Sequence, residues 1–135
     1  MVLIGVVLQS PKEIYSGLQK IFTAPGMLIT DYMVVGGIGA ALVNGGIVGS
    51  IGFALLKVNK IILNGPAIAA IFTMVGFGLF GKNIWSILPV ILGVFLYSAY
   101  ERKPLKTYIY PALFGTALAP LVTQIAFGFN WGILV

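Results

Sequence analysis

Between Asp31 and Lys57 the chain runs for 25 residues without a charged side chain. No other feature restricts the fold so strongly. As one helix the run would rise about 37 Å, more than the roughly 30 Å of hydrocarbon in a bilayer. The rest of the chain has the same character. It is 59% hydrophobic and 8% charged over 135 residues, whereas a soluble domain carries about 25% charged residues. Too few polar side chains are present to coat a soluble surface. The composition therefore predicts an integral membrane protein of the all-α class, a polytopic membrane helix bundle. Runs this long suit helices, because barrel strands need only about 10 residues and strict alternation.

Further apolar runs follow the first. Taking spans near 32–56, 61–81, 84–100 and 107–129, the separators are Lys57 to Lys60, the short Lys82-Asn83 pair, and the "ERKPLK" loop from Glu101 to Lys106. Pro111 and Pro120 interrupt the last run. Residues 10–23 differ from all of these. Ser10 and Glu13 have capping-box spacing, and Pro11 suits a first helical turn. Ile14, Leu18, Ile21 and Phe22 fall on one face, which predicts an amphipathic helix lying in the membrane interface, or a connecting helix packed on protein. The N-terminal "MVLIGVVLQS" is too short to span and makes a poor signal peptide. Both ends of the chain are apolar, so a fragment, or a subunit completed by a partner, is expected.

The net charge is +5. The cations sit between apolar runs, which assigns them to topology and anionic headgroups, and they do not form a nucleic-acid surface. If every run crosses, Lys57, Lys60, Arg102, Lys103 and Lys106 share one side, and the positive-inside rule puts that side in the cytoplasm. Cysteine and histidine are absent. Disulfides, thiolate metal sites and a histidine-dependent triad are thereby excluded. Asp31 is the sole aspartate, so no aspartyl pair exists. An enzyme is not expected, nor is a cofactor or a metal.

Six residues in or beside the runs make up the candidate solute path: Asp31, Asn44, Asn64, Gly65, Thr73 and Gln124. Asn64-Gly65-Pro66 predicts a helix start, with Asn or Gly as the cap and Pro in the first turn. The apolar residues 61–63 before it allow that start to lie inside the membrane, where half-helix ends bind solutes, or to form a plain turn at the interface. Asn44 and Gln124 have the capacity to bridge helices or to bind a solute. Three roles are open for Asp31: an N-cap of the glycine-rich helix, a ligand at a pore mouth, or a salt bridge with a lysine. Gly37, Ala41, Gly45 and Gly49 recur every fourth residue beside a row of Gly36, Ala40 and Asn44. Gly65, Ala69, Thr73 and Gly76 repeat the idea. Such small-residue faces predict close helix contacts.

The stretches "LITDYMVVGGIGAALVNGG" and "LNGPAIAAIFTMVGFGLFGKNIWSILPVILGVFLYS" resemble a bacterial family of uncharacterised multi-pass membrane proteins, the domain-of-unknown-function family numbered 1576. The likeness covers the chain from about Ser10 to its end, and Ile-Thr-Asp-Tyr and Gly-Phe-Gly-Leu-Phe-Gly-Lys-Asn are its distinctive parts. It implies a longer multi-pass parent in the bacterial cytoplasmic membrane and carries no activity. A looser architectural likeness is to urea-transporter-like proteins, in which a short helix, a proline break, a glycine-rich span and a broken helix follow one another in each inverted half. It implies broken or re-entrant helices and one half of a larger inverted-repeat fold.

Two functions follow as expectations. One is half of a channel or transporter for a small polar solute, completed by a second half or by a homo-oligomer. The other is a non-transporting membrane scaffold or assembly subunit.

Overall fold

The computed structural model describes residues 1–24 and 30–120. These residues are helical, and no strand is formed among them. The helices are α1 (Val2–Leu8), α2 (Pro11–Thr23), α3 (Tyr32–Gly36), α4 (Ile38–Val58), α5 (Gly65–Leu79), α6 (Ile84–Tyr100) and α7 (Ile109–Gly115). Short 3₁₀ turns at Leu105–Tyr108 and Thr116–Leu118 flank α7.

Local chemistry sets the helix starts. Before α2, the Glu13 carboxylate accepts from both the Ser10 amide (3.1 Å) and the Ser10 hydroxyl (2.8 Å). Asp31 Oδ1 accepts from the Met33 amide at 2.8 Å at the head of α3. Asn64 Oδ1 accepts from the Ala67 amide at 3.0 Å at the head of α5. Asn83 Oδ1 accepts from Ser86 N at 3.1 Å at the head of α6, and Ser86 Oγ accepts from Asn83 N at 3.0 Å in return. Each side chain satisfies an amide that the first helical turn leaves free.

The run 32–56 is not one helix. It breaks at Gly37, whose φ of +88° is a conformation that side chains with a Cβ rarely adopt. Asp31 therefore caps the five-residue α3 and not the glycine-rich α4. The start of α4 is satisfied from α1 instead: Gln9 Oε1 accepts from the Ala40 amide at 3.1 Å. The run 61–81 is helical only over Gly65–Leu79, because Asn64 and Pro66 set its start and Gly81, at φ +68°, lies past its end. The run 84–100 is one helix, α6. The described part of 107–129 is α7 with its flanking turns.

Glycines decide how the elements pack. Helix α5 runs antiparallel to α4, with Gly78 against Gly45 and Val48, Val75 against Gly49, and Met74 against Gly52. A Cβ on Gly78 would stand 2.7 Å from Gly45 Cα, so the two backbones are in contact. Helix α1 also runs antiparallel to α4, placing Gly5 on Gly39 and Val2 on Gly46. Helix α2 crosses the α3–α4 break, where Gly17 meets Gly36 and Ala40. Its apolar stripe is thus occupied by protein: Ile14, Gly17 and Ile21 are buried.

The two predicted glycine rows fare differently. Gly45 and Gly49 do contact α5, but Gly37 belongs to the break. In α5 the packing row is Ala67, Ala70, Met74 and Gly78. Gly65 and Gly76 have open space where a Cβ would stand, so the predicted row points away from the described neighbours.

Helix α7 returns antiparallel to α6 and lies against α5. Tyr97 and Tyr108 meet edge to face at 5.3 Å between ring centres, and Leu113 reaches toward Gly52 of α4. Tyr110 Oη donates to Asn64 Oδ1 at 3.0 Å, joining the α4–α5 and α6–α7 connections at one end of the molecule. Val48, Leu56, Ala67, Ala70, Met74, Ile87, Ile109 and Leu113 form the main apolar core. Ile21, Tyr32, Ala40 and Ala41 form a second one under α2.

Candidate functional site

Four helix ends converge where α5 stops: the end of α2, the start of α3, the end of α5 and the start of α6. The chain segments are pinned there by polar contacts. Asp31 and Phe80 form an isolated antiparallel backbone bridge. Asn83 Nδ2 donates to Ile21 O and to Tyr32 Oη, each at 3.3 Å. Asn44, in the second turn of α4, sends Nδ2 to Gly78 O at 2.6 Å and to Lys82 O at 2.9 Å. Helix geometry forces that need. The last carbonyls of α5 have no amide ahead of them, and burial denies them water. The side-chain amide of Asn44 supplies the missing donor.

The junction also holds a charge. Lys82 and Asn44 are both 0% exposed, and Asn83 is 4% exposed. Among the described residues, Lys82 Nζ has no hydrogen-bond partner, and neither has Asn44 Oδ1. The amide orientation is fixed by chemistry, since two carbonyls demand the NH₂ group and leave the oxygen over. The recorded neighbour of the ammonium is the Phe77 ring, with Nζ 5.8 Å from its centre. Phe77 also lines an apolar groove of about 510 Å³ with Thr73, Gly76 and Phe80, so one ring touches both the lysine and an opening to the outside.

The predicted site residues are not gathered at one place. Asp31 and Asn44 come to the junction, one through its backbone and one through its side chain. Asn64 and Gly65 lie at the opposite end of α5, about 22 Å away for a helix of 15 residues. Both are exposed there. Ile61 and Leu63 share a groove with Phe53, Leu56 and Lys57, so the connection folds back over the last turns of α4, and Asn64 closes a surface turn. The Thr73 hydroxyl donates to Ala69 O at 2.8 Å within its own helix while the residue lines the groove. Gln124 lies outside the described residues. Asp31 accepts from an amide and forms no ion pair, and the described ion pair is Lys103 with Glu101 at 3.1 Å. Hydrogen bonding to Glu101 raises the pKa of Lys103 above the ordinary lysine value.

Lys82, Asn83 and Tyr32 are the residues that sequence reasoning passed over. Lys82-Asn83 reads as punctuation between two runs. A signal was present nonetheless: two polar residues are too few to form a loop that leaves an apolar environment and returns. Asn83 and Ser86 also have the spacing of a helix cap.

No group of three or more acidic, histidine or cysteine side chains that could hold a metal is found among the described residues. No curated protein and no solved structure matches this chain. The model of the family described as "Protein of unknown function (DUF1576)" matches residues 10–135, which takes in the whole polar junction, and the chain belongs to that family.

Proposed function

We propose that the protein is a multi-pass protein of the bacterial cytoplasmic membrane that moves a small polar solute, as half of a channel or transporter completed by a second half or a second copy. The observation that carries this reading is the buried Lys82 ammonium without a described partner, set among broken helix ends. Helix α4 is long and apolar enough to cross a membrane by length and composition, at 21 residues or about 31 Å. With α4 as the ruler, Asn44 stands six residues in from Ile38, about 9 Å from the helix end. The Lys82 backbone, whose carbonyl accepts from Asn44, then lies within the hydrocarbon. An ionisable group at such depth is expensive and marks a solute or ion pathway. Helix α5, about 22 Å long for 15 residues, stops short of a full crossing, and interrupted helices of this kind frame midplane sites in transporters.

The test is uptake of labelled small solutes into liposomes carrying the purified chain. Lys82→Met should lose at least nine-tenths of the flux. Gly93→Ala, at an exposed position with open space around it, should keep it. Equal flux through both variants and protein-free liposomes would remove the transport reading. The scaffold alternative rests on a different observation, the uncovered row of Gly65 and Gly76 on α5. It predicts a stable complex through that face and no flux.

A further inference from the structure

We infer that the solute is a small anion, bound at the Lys82 ammonium with Asn44 Oδ1 accepting a hydrogen from it or from its hydration water. This deepens the transport reading and rests on it. The charge inventory makes the case. The chain has three acidic side chains. Glu101 is paired with Lys103, while Glu13 accepts from Ser10 and Asp31 from the Met33 amide. No carboxylate side chain lies within salt-bridge distance of the lysine. A buried ammonium without a counter-charge is strongly unfavourable, because it has given up water and gained nothing in return. The Phe77 face offers a cation–π contact, which offsets only a small part of that cost. A neutral solute would solvate the ammonium but leave its charge unbalanced. An anion balances it.

The second orphan refines the chemistry. Lys82 presents donors only, and Asn44 Oδ1 is an acceptor. A ligand that meets both carries negative charge at one atom and a hydrogen at another, as a hydroxy acid or a hydrated anion does. The side chain of Asn44 is locked by its two carbonyl bonds, so its oxygen is held in place before any ligand arrives.

The experiment uses the full chain in detergent, in a buffer whose only anion is a bulky sulfonate. Sodium lactate, formate and chloride are added in turn, with glycerol as the neutral probe, and thermal unfolding is followed. At least one of the three anions should raise the Tm of the native chain by several degrees and leave Lys82→Met unmoved, because a ligand that binds only the folded state stabilises it by mass action. Without anion, Lys82→Met should melt above the native chain, since the methionine fills the same space without a charge. Lys82→Arg keeps the charge and should retain part of the anion shift. It also serves if the methionine variant fails to fold. A shift that persists in Lys82→Met, or no shift with any of the three anions, overturns the inference. So does a methionine variant that melts below the native chain, which would make the lysine a structural group. A shift produced by phosphatidylglycerol alone overturns it as well, since the anion would then be a lipid headgroup. Liposome uptake separates this inference from the reading beneath it. Glycerol flux without an anion effect leaves transport standing and removes the anion. A Lys82-dependent anion shift without flux leaves the site standing and removes transport.

Discussion

The side-chain amide of Asn44 donates to the carbonyl of Lys82 at 2.9 Å while the same nitrogen donates to Gly78 O at 2.6 Å. One residue of α4 thereby closes the end of α5 and fixes the start of the turn that leads to α6. Truncation to Asn44→Ala strands two buried carbonyls. Each costs about 1–3 kcal/mol when left unsatisfied, so a loss of roughly 2–6 kcal/mol is expected, in unfolding measured in detergent–SDS mixed micelles. Asn44→Asp should be no better than Ala despite the nearby lysine, because a carboxylate has no hydrogen for either carbonyl. Wild-type stability in Asn44→Asp would show that the carbonyl bonds are not what the residue supplies.

The α4–α5 contact turns on which glycines face it. Gly78→Ala places a Cβ 2.7 Å from Gly45 Cα, and backbone cannot move aside as a flexible side chain can. A loss of about 1–3 kcal/mol follows from such overpacking. Gly76→Ala, in the same helix with open space around it, should instead gain about 0.5–1 kcal/mol from helix propensity. The pair of opposite signs is the check. Destabilisation by Gly76→Ala would mean that this face is covered in the purified protein, as by a second copy.

That contrast also shows how far the sequence could be read. Helix starts were legible because a cap acts within three residues: Ser10 with Glu13, Asp31 with Met33, and Asn64 with Ala67 are all local bonds. Which face a small-residue row presents is not local. Gly45 and Gly76 look alike in sequence, and only the partner helix distinguishes them. Lys82 was illegible for the same reason. A lysine after Gly81 reads as a surface loop until α2, α3 and Asn44, all distant in sequence, are folded over it. The break at Gly37 was hidden because glycine is equally common in tight helix contacts and in turns. Past the break, Gln9 Oε1 accepts from the Ala40 amide, a contact 31 residues apart in sequence.

Two helices end on a basic residue in a left-handed conformation. Lys60 has φ 55° and Arg102 has φ 54°. Around each the backbone closes the helix in the same way: Ile61 N donates to Leu56 O at 2.9 Å and Lys103 N to Ser98 O at 3.1 Å. Glycine is the usual residue at such a position because it has no Cβ to crowd the carbonyl. Lys60→Gly and Lys60→Ala both remove the charge, so their difference isolates the backbone. Gly should be the more stable by about 1 kcal/mol, the reverse of their order inside a helix. The same comparison at Arg102 should give the same sign. Alanine equal to glycine at both sites would mean that neither residue holds this conformation in solution.

At the head of α2, the Ser10 hydroxyl and then the Ser10 amide hold the Glu13 carboxyl below its usual pKa, outweighing a small opposing effect of desolvation. The sign of the pH effect follows from that direction. With the folded pKa below the unfolded one, the contribution to stability is complete above the ordinary carboxylate value of 4.5 and is lost as pH falls through the folded pKa. Ser10→Ala removes the hydroxyl, so the Glu13 pKa should rise toward the ordinary value, read from the carboxyl carbon shift in an NMR titration. The variant should also lose part of the acid sensitivity of α2 seen by native chain unfolding below pH 4.5. Glu13→Gln should flatten that dependence further, because the group no longer titrates, while stability near neutral pH falls slightly through the weaker, uncharged acceptor. An unchanged Glu13 titration in Ser10→Ala would assign the depressed pKa to the backbone amide and the helix N-terminus alone.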